Sequence, residues 1–292
     1  MSRKIGWFDI IFGFLFLVLC FLTIYPFVYA LSYSFSNGQS VMTDTVYLWP
    51  IDFTWENYRT VFANRSILSA AGISVLKTIV GTALSLIVTA TAAYSVSKKN
   101  LVFKKTVLLF FILPMYISGG LLPFYILIYN LGLMNTFWVY LLPGAFSGLF
   151  MFLMKVYYEA LPGEVEESAR IDGAGDLRLF LKIIVPLSLP VYATVALFVG
   201  VGQWNAWFDA MLFVSNTDLH PLQLLLQNIL REAEVTTFAQ VAALSSPQAV
   251  RQTTVETLRM ATLMVTTLPI LFIYPFFQKY FIKGVVLGAV KG

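Results

Sequence analysis

Two clusters in the chain have residue types and spacings that could do chemistry. The first reads Gly202-Gln203-Trp204-Asn205, followed by Trp207 and Asp209. Amide and carboxylate groups beside indole rings suit a sugar, whose hydroxyls need hydrogen-bond partners and whose C–H faces pack on aromatic rings. On one continuous helix Asn205 and Asp209 share a face, and Trp204 and Trp207 form the adjacent one. The same aromatics also suit an interfacial belt with a solvated carboxylate. The second cluster lies between Glu159 and Pro190 and gathers Glu164, Glu166, Glu167, Ser168, Ala169, Asp172, Gly173, Ala174 and Asp176. Its residues are those of helix caps and charged surfaces, not of a reaction centre.

Other chemistries find no residues to carry them. Cys20 and His220 are the sole cysteine and histidine, so no internal disulfide and no multi-ligand metal site is expected. The chain has no Gly-x-x-x-x-Gly-Lys-Ser/Thr phosphate loop, so ATP is not expected to bind here. A membrane enzyme would need a nucleophile with a candidate base, and the abundant serines are better read as helix-packing residues.

The elements that must position these clusters follow from composition. Of 292 residues 59% are hydrophobic and 12% charged, with a mean hydropathy of +0.79. A soluble domain is about half apolar and about a quarter charged, so the excess must face lipid or lie between lipid-facing helices. Apolar runs at about 10–32, 68–95, 106–130, 136–156, 187–214 and 259–281 each approach the ~20 residues that cross a bilayer. The first follows Ser2-Arg3-Lys4 and includes Val28-Tyr29-Ala30, but it is too long for a secretory signal.

Lysine and arginine concentrate on the cytoplasmic side of membrane proteins. An inside N-terminus puts Arg3, Lys4, Lys98, Lys99, Lys104, Lys105, Lys155, Arg170, Arg178, Lys182, Lys279, Lys283 and Lys291 there. Outside remain Arg59, Arg65, Arg231 and Arg251, with Lys77 and Arg259 expected to snorkel to the outer interface. The net charge of +4 is therefore a signal of topology, not of nucleic acid. The expected fold is an all-α membrane protein of six transmembrane helices with both termini cytoplasmic, a single domain over residues 1–292. Outer segments at about 33–67, with Trp49-Pro50, Trp55 and Asn57, and about 215–258 are long enough for lids or docking surfaces. Pro114, Gly119-Gly120, Pro123, Pro143-Gly144, Pro269 and Pro275 suggest a bundle of interrupted helices.

Local physics makes residues 157–186 an elbow of two short helices between spans four and five. Pro162 suits a helix start, Glu164, Glu166 and Glu167 favour its first turn, and Gly173 supplies a left-handed stop. Asp176 is expected to cap the next helix, in which Leu177, Phe180, Ile183 and Ile184 share one face up to Pro186.

Glu167-Ser168-Ala169, Asp172-Gly173-Ala174, Phe180, Ile183, Pro186 and Pro190 resemble the EAA loop of ABC importer permeases, through which such permeases dock on their ATPase. Ser168 stands where the family usually has alanine. Ala93-Tyr94-Ser95, Asn130 to Thr136, Pro221-Leu222-Gln223 and the tail from Lys283 extend the resemblance to the carbohydrate-uptake branch of MalG type, and most to its LplC and YtcP group of oligosaccharide permeases.

The resemblance implies a bacterial inner-membrane, non-catalytic permease subunit. It implies a coupling helix seated on a cytoplasmic ATPase dimer that holds ATP and Mg, with no cofactor on this chain. An extracytoplasmic solute-binding protein and a second, paralogous permease subunit complete the implied assembly, in membrane lipid and without nucleic acid. Glu167 then becomes a charged contact to the ATPase, Ala169 and Ala174 small packing positions, Gly173 the turn residue, and Asp172 a cap or partner contact. The tail from Lys279 becomes a further ATPase contact. Gln203, Trp204, Asn205, Trp207 and Asp209 are the candidate substrate path. The competing reading is a stand-alone secondary carrier or channel, which should show mid-membrane charges for ion coupling. Apart from Lys77 and Asp209 the spans hold almost none.

Overall fold

The computed structural model describes residues 6–117, 119–235 and 253–289, and the side chains among them except those of 232–235 and 277–289. Along the chain the helices are α1 (Trp7–Ser34), α2 (Ser40–Thr43), α3 (Glu56–Ala63), α4 (Arg65–Ser97), α5 (Lys104–Tyr116) and α6 (Leu121–Asn130). After a 3-10 turn at Phe137–Tyr140 come α7 (Gly148–Glu159), α8 (Gly163–Ile171), α9 (Asp176–Leu179), a π turn at Phe180–Ile184 and α10 (Val185–Leu187). Then follow α11 (Leu189–Asn205), α12 (Phe208–Phe213), a 3-10 turn at Thr217–Leu219, α13 (Leu222–Val235) and α14 (Val255–Ala289). Among the described residues there is no strand.

Trp7–Ser34, Arg65–Ser97 and Val255–Phe276 are each long and apolar enough to cross a membrane, and the number rises to 5 if each of two bent pairs is one span. The pairs are α5 with α6, and the Asp176–Leu187 segment with α11, bent by 80°. The apolar side chains of α1, such as Trp7, Phe14, Phe16 and Leu17, stay exposed within the chain, as expected of a helix covered by lipid or another protein.

Three apolar runs that the sequence reads as single helices are interrupted. Residues 106–130 divide between α5 and α6, with Gly120 at φ +84° ahead of α6. Residues 136–156 divide between the turn at Phe137–Tyr140 and α7, because Pro143 cannot donate to a helical ladder and disfavours helical backbone just before it. Ser147 then caps α7, accepting from the Phe150 amide at 3.5 Å. Residues 187–214 divide at Ala206, whose backbone is extended at φ −69°, ψ 112°. Asn205 and Asp209 therefore do not share the continuous helix face expected of them.

The chain divides into two compact units. The first is made of Met1–Leu68 and Leu225–Pro269. In it Asn57 is fully buried and donates through Nδ2 to the Ser34 and Ser36 carbonyls at 2.8 and 2.9 Å, tying α3 to the end of α1. Phe35 stacks on Phe53, meets Trp55 edge-on and packs against Tyr58, at centroid distances of 5.2, 5.0 and 4.7 Å. In the segment expected to be long enough for a lid or docking surface, Asn57 thus ties α3 to α1 and Trp55 packs on Phe35 and Phe53. Most of the remainder of the second outer segment, residues 236–252, lies outside the described residues.

The second unit is made of Ser69–Leu224 and Ile270–Gly292. One of its cores gathers Ala90, Ala93, Tyr94, Met151, Met154, Tyr158, Ala169, Leu179, Phe180, Ile184 and Val195. Another gathers Ile128, Val139, Tyr140, Ala210, Phe213, Val214 and Leu224. The contact expected of the tail falls on the side chains of Lys279, Lys283 and Lys291, outside the described residues, as do Arg3, Lys4 and Arg251.

Candidate functional site

The elbow is built by α8, α9 and the π turn. Pro162 precedes α8, Glu164 and Glu166 stand in its first turn, and Gly173 takes φ +78° at its end. The Ala174 amide donates to the Ala169 carbonyl at 2.9 Å and the Gly173 amide to Arg170 at 3.0 Å, the paired bonds of a Schellman stop. The cap of α9 is Gly175, not Asp176; the Asp176 carboxylate instead accepts from Arg170 Nη2 at 2.7 Å.

This geometry sorts the expected residues. Ala169 and Phe180 are buried and Ala174 packs against the same core, so these three seat the elbow. Glu167, Ser168, Asp172 and Gly173 are exposed, although the Ser168 hydroxyl turns back to donate to the Glu164 carbonyl at 2.7 Å. Two apolar neighbours join the exposed set, Ile171 at 86% and Leu177 at 71%. The helical spacing that groups Leu177 with Phe180 on one face does not hold in the structure. Within α9 it is Leu179, not Leu177, that joins the core formed with Tyr94, Met151 and Met154. Ile171 carries no sequence signal other than being apolar among charges.

Beneath the elbow lies a charged network. Lys98 donates to Glu166 Oε1, and Arg170 Nη2 donates to the same oxygen at 3.1 Å. Lys98 Nζ also lies 4.1 Å from the centroid of the Tyr94 ring, which packs on Phe180 at 4.8 Å. Burial raises the Glu166 carboxyl, but the hydrogen bonds and charges of Lys98 and Arg170 outweigh it and hold the group below its ordinary 4.5. Because the folded value is the lower one, ionised Glu166 supports the folded elbow fully above 4.5, and that support is lost as pH falls through the lowered value. A carbon-13 titration of the Glu166 carboxyl is expected to give a midpoint below 4.5, moving upward in Arg170→Ala. A midpoint at or above 4.5 would mean that the network does not form.

The second candidate site is an open hollow of about 310 Å³, lined by polar Ser85, Tyr140, Ser147, Gln203 and Asp209 and by Phe150, Phe198 and Gly202 among others. Gln203 is wedged in place: a Cβ added at Gly81 would meet its Cδ and Nε2 at 2.9 Å, and one at Gly144 would meet Nε2 at 3.2 Å. Glycine at 81 thus lets α4 approach α11 closely enough to fix that amide, whose Nε2 donates to the Tyr140 carbonyl at 3.4 Å.

Of the five residues expected on a substrate path, Gln203 and Asp209 line this hollow and Trp204, Asn205 and Trp207 do not. Trp204 is buried, Trp207 packs at the margin of the core around Phe213, and Asn205 Oδ1 accepts from Gln223 Nε2 at 3.0 Å. Lys77, expected to snorkel outward, is 0% exposed. It donates to the Ala206 carbonyl, lies 5.2 Å from the Tyr140 ring centroid, and feels the charge of Asp209. Sequence reasoning missed Ser85, Tyr140 and Phe150, which lie far from Gln203 along the chain, and Phe198, which shares α11 with Gln203 but is one apolar residue among many there.

The 130–136 motif and Pro221-Leu222-Gln223 act as clamps. Asn135, at φ +57°, accepts through Oδ1 from the Ser215 and Asn216 amides at 2.6 and 3.2 Å. The Leu222 amide donates to Ser74 Oγ at 2.8 Å.

Residues 81–287 match the family described as "Binding-protein-dependent transport system inner membrane component". Protein LplC of Bacillus subtilis (strain 168) is 36% identical over 93% of this chain and 90% of its own. The polygalacturonan/rhamnogalacturonan transport system permease protein YtcP of the same organism is 33% identical over 97% of each chain. A chain in the crystal structure of a bacterial ABC transporter involved in the import of the acidic polysaccharide alginate is 28% identical, with a TM-score of 0.88 over 96% of this chain and 99% of that one. Nothing in these matches supports a stand-alone carrier or channel. The matched stretch takes in both the elbow and the hollow, and the chain belongs to the family of inner-membrane components of binding-protein-dependent transport systems, as the non-catalytic permease subunit of an ABC importer.

Proposed function

We propose that this permease imports an oligosaccharide, that its elbow is the coupling segment seated on a cytoplasmic ATPase dimer, and that the hollow lies on the substrate path. Membership of the family implies an ATPase and a substrate-binding protein as partners. In this reading the pore is completed by a second, paralogous permease subunit, six spans carry both termini into the cytoplasm, and residues 1–292 work as one transmembrane domain. ATP and Mg belong to the ATPase, and this chain binds no cofactor. Glu167, Ser168, Asp172 and Gly173 face the ATPase, while Ala169, Ala174 and Phe180 hold the elbow from behind. Gln203 and Asp209 offer hydrogen bonds to sugar hydroxyls, and Phe150 and Phe198 offer rings. Trp204, Asn205 and Trp207 support that path from outside the lining.

One observation carries the reading: on the elbow the large apolar Ile171 and Leu177 are exposed, as are the charged Glu167 and Asp172. Exposed apolar residues interspersed with charge along one segment suit a protein-docking surface. The carbohydrate class is supported by the polysaccharides named for YtcP and for the alginate transporter.

The test is purification of the chain from its native membrane in mild detergent, with mass spectrometry of what accompanies it. A phosphate-loop ATPase and a second permease chain are expected; recovery of this chain alone, still transporting, would overturn the assembly. For the hollow, Gln203→Ala is expected to lower uptake at subsaturating substrate by about 2- to 10-fold, the worth of one hydrogen bond, with the ATPase still bound. Unchanged uptake in both Gln203→Ala and Asp209→Ala would remove the hollow from the path.

A further inference from the structure

Helix α4 is in contact with both candidate sites. Just beyond its last residue Lys98 grips α8 through Glu166, and Tyr94, one turn earlier, packs on Phe180 and donates to the Asp176 carbonyl at 3.5 Å. Towards its other end Lys77 holds the Ala206 carbonyl where α11 stops, and Gly81 abuts Gln203 in the hollow. Between these, Thr82 Oγ1 lies 3.4 Å from where a Cβ on Gly200 would stand. From Lys77 to Lys98 a helix rises about 31 Å at 1.5 Å per residue. No proline interrupts α4. The covalent route from the elbow into α11 instead passes a π turn and the 80° bend between Leu187 and Leu189. Two packed ends on an unbroken helix transmit displacement better than a chain that can absorb it at a bend.

We propose that α4 carries movement of the elbow to the hollow, with Lys98 as the positioning residue that grips α8 and Lys77 as the one that holds the broken end of α11. The proposal rests on the elbow being the ATPase-docking segment. It assigns to Lys98 a task distinct from docking, since Lys98 binds the inner side of the elbow through the half-buried Glu166 rather than the exposed set.

The experiment uses the assembled importer in proteoliposomes with Cys20→Ser and Gly202→Cys. Gly202 lines the hollow, and a Cβ there meets nothing within 4 Å. The rate of maleimide modification at position 202 is measured with and without MgATP, beside uptake and retention of the ATPase. ATP is expected to change that rate in the parent. Lys98→Met should abolish the ATP-dependent change and lower uptake by roughly 2- to 30-fold with the ATPase retained, while Lys98→Arg, which keeps the cation, should preserve both. An ATP-dependent change that survives Lys98→Met, or is absent from the parent, overturns the proposal. Loss of the ATPase from Lys98→Met also overturns it, by making Lys98 a docking residue. Gly173→Leu in the same assay separates the two readings: if it too leaves the ATP-dependent change intact, the elbow assignment has failed, and if it alone abolishes the change, only the role of α4 has.

Discussion

Gly173→Leu is expected to reduce ATP-driven uptake by at least about tenfold, a loss of 1.4 kcal/mol or more in productive docking, while the permease stays folded and in the membrane. Two effects of the substitution can be separated. Gly173 sits at φ +78°, where an L side chain costs about 1–2 kcal/mol. That is small beside the roughly 5–15 kcal/mol that holds a domain together, and a Cβ at this position meets no atom of the chain within 4 Å. Within the permease, then, leucine is strained but not clashing. It does, however, put an isobutyl group on the exposed side of the turn, where Glu167, Asp172, Ile171 and Leu177 are also presented. Gly173→Asn serves as the control, because asparagine tolerates the left-handed region and its side chain is compact. Uptake by the asparagine variant should lie well above that of the leucine variant, with ATP hydrolysis uncoupled only in the latter. Equal and near-normal uptake in both would remove the turn from the ATPase interface.

What made this turn readable in advance was its locality. Pro162, the acidic first turn, Gly173 and the small residues at 169 and 174 act over a few positions of chain, and the Schellman bonds close between residues already counted off in order. The apolar runs were legible for the same reason, since hydropathy needs no partner. The misreadings all depend on a contact from elsewhere. Helix α11 ends at Asn205 where Lys77, far back along the chain, takes up the Ala206 carbonyl, and nothing in Gly202-Gln203-Trp204-Asn205 announces that. Leu179 rather than Leu177 is buried because the core it joins, with Tyr94, Met151 and Met154, comes from elsewhere in the chain. Asn57 looked like a polar residue of an outer segment, and became a strut only once Ser34 and Ser36 were beside it. Polar residues at breaks and turns were thus found by sequence, but their partners, and hence their roles, were not.

Lys77→Met is expected to be the most damaging single change in the second unit, and more damaging than its conservative volume suggests. The lysine is fully buried, and its ammonium group is satisfied by the Ala206 carbonyl, the face of Tyr140 and the charge of Asp209. Methionine fills the space but leaves that carbonyl without this donor and the carboxylate without its counter-charge. Leaving that part-buried carbonyl unpaired costs about 1–3 kcal/mol, and the half-buried Asp209 carboxylate loses a nearby positive charge as well. It follows that part of the damage resides in Asp209 and should be recoverable there. In the Lys77→Met/Asp209→Asn double variant the carboxylate is gone, so the thermal midpoint in detergent should stand above the sum of the two single losses. The orphaned Ala206 carbonyl remains, so recovery should be incomplete, and uptake should stay depressed because the end of α11 beside Gln203 is no longer held. The measurement is a four-protein cycle of wild type, two single variants and the double. Midpoint losses that simply add would mean that Lys77 and Asp209 do not sense each other, and would leave Lys77 as a hydrogen-bond donor to a helix end and nothing more.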